Sequence, residues 1–104
     1  MHKIITVLLF FIASIYRIEA QSYFITGIVK NQQGELLTGA SVILLKTVDS
    51  AYIKSSTTDE NGKFQLQSAE KNVIIKISFI GYENTFIDKE FTTQLTDLKS
   101  IALT

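Results

Sequence analysis

Apolar and polar positions alternate along most of the chain with a period of two, the spacing of a strand that buries one face. In Tyr23–Lys30, Tyr23, Ile25, Gly27 and Val29 share one side, and Phe24, Thr26, Ile28 and Lys30 the other. Lys63–Gln67 sets Phe64 and Leu66 against Lys63, Gln65 and Gln67. Val73–Phe79 sets Val73, Ile75, Ile77 and Phe79 against Ile74, Lys76 and Ser78. Further strands are predicted at Ala40–Thr47, Tyr52–Thr58, Glu83–Asp88 and Leu98–Leu103. Ala40–Thr47 is apolar on both sides through Val42-Ile43-Leu44-Leu45, so it is predicted to be central in its sheet or covered outside. Helical spacing fits only Glu90–Leu98, which is expected to hold one turn. Seven short strands with turn residues every 8–12 positions predict a mainly antiparallel, seven-stranded β-sandwich of immunoglobulin-like shape.

The first twenty residues break this pattern. Lys3 precedes a twelve-residue apolar run, Ile4–Ile15, and Tyr16-Arg17-Ile18-Glu19-Ala20 follows with a small residue at its end. That order fits a secretory signal peptide at 1–20, because a spanning helix needs about 20 apolar residues. The sandwich domain is then 21–104, one small domain.

Composition narrows the chemistry. The sequence has no cysteine, proline or tryptophan, and its one histidine is His2. Disulfides, a thiolate nucleophile, Cys-based metal sites and Ser/His or Cys/His catalysis are excluded for residues 21–104. Eight lysines and no arginine face nine acidic residues in 21–104, a net charge of −1. Neither a nucleic acid nor an anionic membrane surface is implied as partner. A carboxylate-pair glycosidase has little room for a cleft on so small a sandwich. Asp59-Glu60-Asn61-Gly62 lacks the twelve-residue spacing of a calcium loop and reads as a β-turn. The expectation is no enzyme, no cofactor and no metal.

The glycines and turns form an ordered set. Ile25-Thr26-Gly27-Ile28-Val29, then Asn31…Gly34, opens it. Leu37-Thr38-Gly39-Ala40-Ser41-Val42 and Thr58-Asp59-Glu60-Asn61-Gly62-Lys63-Phe64 follow, and Ile80-Gly81-Tyr82 closes it. Gly34, Gly39 and Gly62 stand where tight turns need positive φ or close backbone approach. Asp59 is placed to bind amides across its turn. Phe64 and Val42 are placed to fill the space between sheets. Gly81 ends a strand, and Tyr82 after it is expected over a sheet edge with its hydroxyl free.

Together these motifs, from Tyr23 to about Thr104, resemble the carboxypeptidase-regulatory-like domain, a transthyretin-like β-sandwich. Thr38 departs from the proline common before the Gly-Ala pair. The longer Val48–Lys54 segment looks like the form in exported proteins of Bacteroidetes-type bacteria, where the domain commonly precedes the plug and barrel of TonB-dependent outer-membrane receptors. The resemblance implies a non-enzymatic accessory or interaction module in the periplasm or outer membrane of a Gram-negative bacterium. Its partner would be an envelope protein: a barrel, a plug or a periplasmic protein. Contact with the membrane would come only through an attached barrel. Such domains also accompany metallocarboxypeptidases and share their fold with hydroxyisourate hydrolases, but those sites need histidines that 21–104 lacks. Two alternatives stand beside this reading. One is a carbohydrate-binding module using Tyr23, Tyr52, Tyr82 and Phe86, and the other is the N-terminal fragment of a longer outer-membrane β-barrel protein. Tyr52 and Tyr82, aromatics near loops, are the candidate binding residues.

Overall fold

The computed structural model describes residues 22–104, so the expected signal peptide lies outside the described residues. Seven strands follow one another: β1 Tyr23–Asn31, β2 Ser41–Lys46, β3 Tyr52–Thr57, β4 Lys63–Ser68, β5 Asn72–Ser78, β6 Thr85–Glu90 and β7 Leu95–Leu103. They form a three-stranded sheet in the order β4-β1-β7 and a four-stranded sheet in the order β3-β2-β5-β6. The expected sandwich of seven strands is present. All neighbours are antiparallel except β1 and β7, which run parallel.

The faces follow the alternation. Tyr23, Ile25 and Val29 of β1, Phe64 and Leu66 of β4 and Leu103 of β7 are buried from the first sheet. They are joined in one core with Val42 and Leu44 of β2 and Val73, Ile75 and Ile77 of β5. β2 is an inner strand of its sheet, as its two apolar faces predicted. The Phe64 ring lies across Gly27, where a Cβ would stand 2.7 Å from two ring carbons. Gly27 is therefore a packing glycine: its bare Cα makes room for the aromatic plug.

Two turn loops share one design. In Asn31–Glu35 and Asp59–Lys63, the first residue's Oδ1 accepts the amides two and four positions on. In each, the first residue's N–H reaches the carbonyl of the last, and its own carbonyl accepts from a glycine. Those glycines, Gly34 and Gly62, have positive φ, as does Gly39. The role expected of Asp59 is thus present, and Asn31 plays the same part in a second loop.

The expected helical turn at Glu90–Leu98 is absent. Phe91, Leu95 and Leu98 have helical spacing, yet each goes elsewhere. Phe91 is buried and stacks on Tyr23 at 5.3 Å between ring centroids. Leu95 is exposed in register with Phe24, and Leu98 packs inward against the core. Tertiary pairing with β1 overrides the local spacing, and β7 starts three residues earlier than expected.

Thr58 holds the turn ahead of β2. It is buried, and its Oγ1 donates to the Leu37 carbonyl and accepts the Ala40 amide at 2.9 Å. Thr58→Val keeps the shape and removes both bonds, leaving a buried donor and a buried acceptor unpaired. The expected loss is about 2–3 kcal/mol in urea unfolding, with faster hydrogen exchange at Ala40, and Thr58→Ser is expected to restore most of it.

Candidate binding surfaces

The register places two rows of side chains on the outer face of the four-stranded sheet. One row is Tyr52, Leu45, Ile74 and Asp88, and the other is Ser55, Ile43, Lys76 and Phe86. Directly paired residues stand on the same face, so Leu45, Ile43 and Ile74 make an aliphatic floor. Tyr52 is 64% exposed on edge strand β3, and Phe86 is 60% exposed on edge strand β6. Lys76 Nζ lies 6.0 Å from the Phe86 ring centroid, a cation–π contact across the face. The Tyr52 hydroxyl is 3.1 Å from Ser55 Oγ.

Tyr52 and Tyr82 do not form one site. Tyr52 is in register with Leu45, which pairs with Ile74 near the start of β5, whereas Tyr82 follows the turn at the end of β5. About five residues of strand, roughly 17 Å, separate the two levels. The Tyr82 hydroxyl is not free, which corrects the sequence expectation. It accepts a bond from Asn31 Nδ2 at 3.3 Å, and its ring packs on Phe79 at 5.9 Å. Tyr82 thereby ties the β5–β6 connection to the Asn31–Glu35 loop. Tyr23 is also withdrawn as an exposed aromatic, since it is buried against Phe91. The part played by Asn31 was missed from sequence. Its spacing to Gly34 repeats that of Asp59 to Gly62, which signals the loop, but nothing local signals a partner 51 residues away.

A shallow groove of about 640 Å³ opens beside β4. Phe64, Gln65 and Lys63 line it from β4, and Ser56 and Thr57 from β3. Thr26, Gly27 and Ile28 of β1 and Asp97 of β7 also line it. A hydrogen bond from the Lys99 amide holds the Asp97 carboxyl below the usual aspartate range; desolvation opposes it, and the Lys99 side-chain hydrogen bond and positive charge add smaller pulls in the lowering direction. Among the described residues, no group of three or more His, Cys, Asp or Glu side chains could hold a metal ion. Buried side-chain polar atoms there are all hydrogen-bonded, so none points into a ligand site. These surfaces comprise an aliphatic sheet face flanked by exposed Tyr52 and Phe86, four strand edges and a shallow groove.

A family model for the CarboxypepD_reg-like domain matches residues 25–103. The TonB-dependent receptor SusC of Bacteroides thetaiotaomicron is 42% identical over 64 residues, which are 62% of this chain and 6% of that receptor. Among solved structures, the TIE protein of Bacillus anthracis superposes with a TM-score of 0.66 at 11% identity, covering 81% of this chain and 16% of that one. A chlorocatechol 1,2-dioxygenase from Pseudomonas putida gives 0.59 at 14% identity, covering 85% and 62%. The plantain pollen allergen Pla l 1 gives 0.53 at 18% identity, covering 79% and 92%. At these identities the structural likeness concerns the fold alone.

Proposed function

From the fact that this chain belongs to the CarboxypepD_reg-like domain family, we propose that it is a non-enzymatic accessory or interaction module of the bacterial envelope, similar in role to the N-terminal domain of TonB-dependent outer-membrane receptors involved in nutrient uptake. The observation that carries this reading is the 42% identity to SusC, confined to a segment that makes up 6% of that receptor. The family match, residues 25–103, spans the sandwich, and the sandwich surfaces are of the kind that bind protein. Residues 1–20 act as the export signal, delivering the domain to the periplasm with Gln21 as its first residue. The dioxygenase neighbours add nothing chemical, since the described residues contain no histidine.

The tagged chain, expressed in a Bacteroidetes-type host, is expected to fractionate with the envelope and to begin at Gln21 on N-terminal sequencing. A photo-crosslinker at Tyr52 or Phe86 is expected to join it to an outer-membrane barrel or plug. Cytoplasmic recovery with the first twenty residues retained would overturn export. A glycan array is expected to be blank, because the floor between Tyr52 and Phe86 is aliphatic; glycan retention lost in Tyr52→Ala would replace the protein-contact reading.

A further inference from the structure

Of the four asparagines in the chain, only Asn61 precedes a glycine. An asparagine loses its side-chain amide when the next backbone nitrogen attacks its Cγ, and a following glycine leaves that nitrogen unhindered because it has no Cβ. Asn72 and Asn84 precede Val73 and Thr85, whose branched side chains crowd the attacking nitrogen. Asn31 precedes Gln32, and its side chain is committed. Its Nδ2 donates to the Tyr82 hydroxyl, and its Oδ1 accepts the Gln33 and Glu35 amides. Asn61, by contrast, is exposed in the loop that joins β3 to β4.

The closed loop holds this pair out of reach of the reaction. The Gly62 amide donates to the Asp59 carbonyl at 2.9 Å, closing a β-turn with Glu60 and Asn61 at its centre. Neither central residue has positive φ, which matches a type I turn with the Asn61 ψ at about 0°. From there ψ has to rotate well away before the Gly62 nitrogen faces Cγ. The nitrogen is also occupied. Gly62 is buried, its N–H is bound to Asp59, and its carbonyl accepts the Val29 amide at 2.7 Å. On either side, Asp59 Oδ1 holds the Asn61 and Lys63 amides at 2.8 and 3.0 Å. Reaction therefore requires the loop to open and these bonds to break.

We propose that Asn61 is a deamidation site gated by opening of the Asp59–Lys63 loop, and that its isoaspartyl product keeps the loop from closing again. In the open loop the Gly62 nitrogen bonds to Asn61 Cγ, the Cγ–Nδ2 bond breaks, and ammonia leaves with the Gly62 amide proton. The succinimide so formed takes up one water. Opening at Cγ gives an aspartate, and opening at the Asn61 backbone carbonyl gives an isoaspartate. The aspartate keeps the backbone path and points an exposed side chain into solvent, so the loop recloses. The isoaspartate routes the backbone through the side chain and inserts a methylene ahead of Gly62. That glycine has no slack to absorb it, since an added Cβ there would already stand 2.6 Å from the Val29 carbonyl oxygen. Its bonds to Asp59 and Val29 then do not both re-form.

The test holds the full chain at mildly alkaline pH, native and in guanidinium chloride. The tryptic peptide spanning residues 55–63 is followed by mass spectrometry, with the two products separated by chromatography. Asn61 is expected to react before Asn31, Asn72 and Asn84, and at least about tenfold faster in denaturant than in the native chain. Asp59→Ala removes the Oδ1 clamp, so the folded variant should deamidate at least about threefold faster while its rate in denaturant stays the same. Asp59→Asn keeps an Oδ1 acceptor, as Asn31 does in the sister loop, and should restore the slow rate. In the isoaspartyl form the Val29 amide is expected to exchange at least about tenfold faster than in the unmodified chain, and in the aspartyl form at the unmodified rate. Equal rates in native and denatured chain overturn the inference, as does another asparagine reacting first. So does an unchanged rate in folded Asp59→Ala, or an isoaspartyl form that keeps Val29 protected. The native-against-denatured comparison needs no variant and decides the matter even if Asp59→Ala does not fold.

Discussion

Phe91→Ala is expected to be the most destabilising single truncation in the domain, lowering unfolding free energy by about 3–5 kcal/mol. Phe91 is only 1% exposed and heads the fully buried side chains by volume. It lies just after β6, outside any strand, where its ring stacks on Tyr23 of β1 and its amide binds the Lys71 carbonyl ahead of β5. One side chain thus joins both sheets at one end of the sandwich. Alanine removes the contacts and leaves a cavity that two sheets held apart by other side chains cannot close. A domain of this size has about 5–10 kcal/mol in hand, so roughly half its stability is at stake. Urea unfolding followed by circular dichroism measures the loss, and the melting temperature is expected to fall by about 15–30 °C. Phe91→Leu refills most of the volume and should recover more than half. A loss below about 1 kcal/mol in the alanine variant would mean that Phe91 does not occupy the core.

Gly62→Ala is expected to cost nearly as much, for a different reason. Gly62 has φ 70°, where a β-carbon costs about 1–2 kcal/mol. In addition, a Cβ there would stand 2.6 Å from the Val29 carbonyl oxygen. That oxygen is backbone in the middle of a sheet and accepts the Leu37 amide at 3.0 Å, so it cannot retreat without breaking a second bond. Crowding of this kind adds about 1–3 kcal/mol, for a total near 2–5 kcal/mol. Gly34→Ala is the internal control. Gly34 occupies the equivalent place in the sister loop at φ 84°, but nothing lies within 4 Å of its missing Cβ. It is expected to lose only the conformational part, about 1–2 kcal/mol. The difference between the two variants, measured by the same unfolding experiment, isolates the approach of Val29. Equal losses would show that the close approach relaxes freely.

These two positions also show what can be read from a linear sequence. That Gly34 and Gly62 sit in turns is legible, because Asx-x-x-Gly between two alternating runs has a local mechanism. That only one of them is pressed against another strand is not, since Val29 is 33 positions away. Phe91 is similar. Its spacing to Leu95 and Leu98 suggested a helical turn, while its true neighbour, Tyr23, is 68 positions distant. The candidate surface divides the same way. Tyr52 was recognisable as an aromatic near a loop and is exposed. Tyr82 looked the same in sequence, yet its hydroxyl is engaged by Asn31.

By itself, then, the sequence determined the class of fold, the identity and order of the seven strands and which face of β1, β4 and β5 turns inward. Period-two alternation and turn chemistry are local properties, and each strand carries its own copy of the signal. The absence of histidine and cysteine beyond residue 20 likewise closed off most catalytic chemistry before any geometry was known. Only the tertiary structure decided that β7 returns parallel to β1, that β4 is left as a regular edge, and that Tyr82 is spent on Asn31. Those outcomes depend on which strands become neighbours, and neighbours are chosen by long-range packing of faces that look alike in sequence.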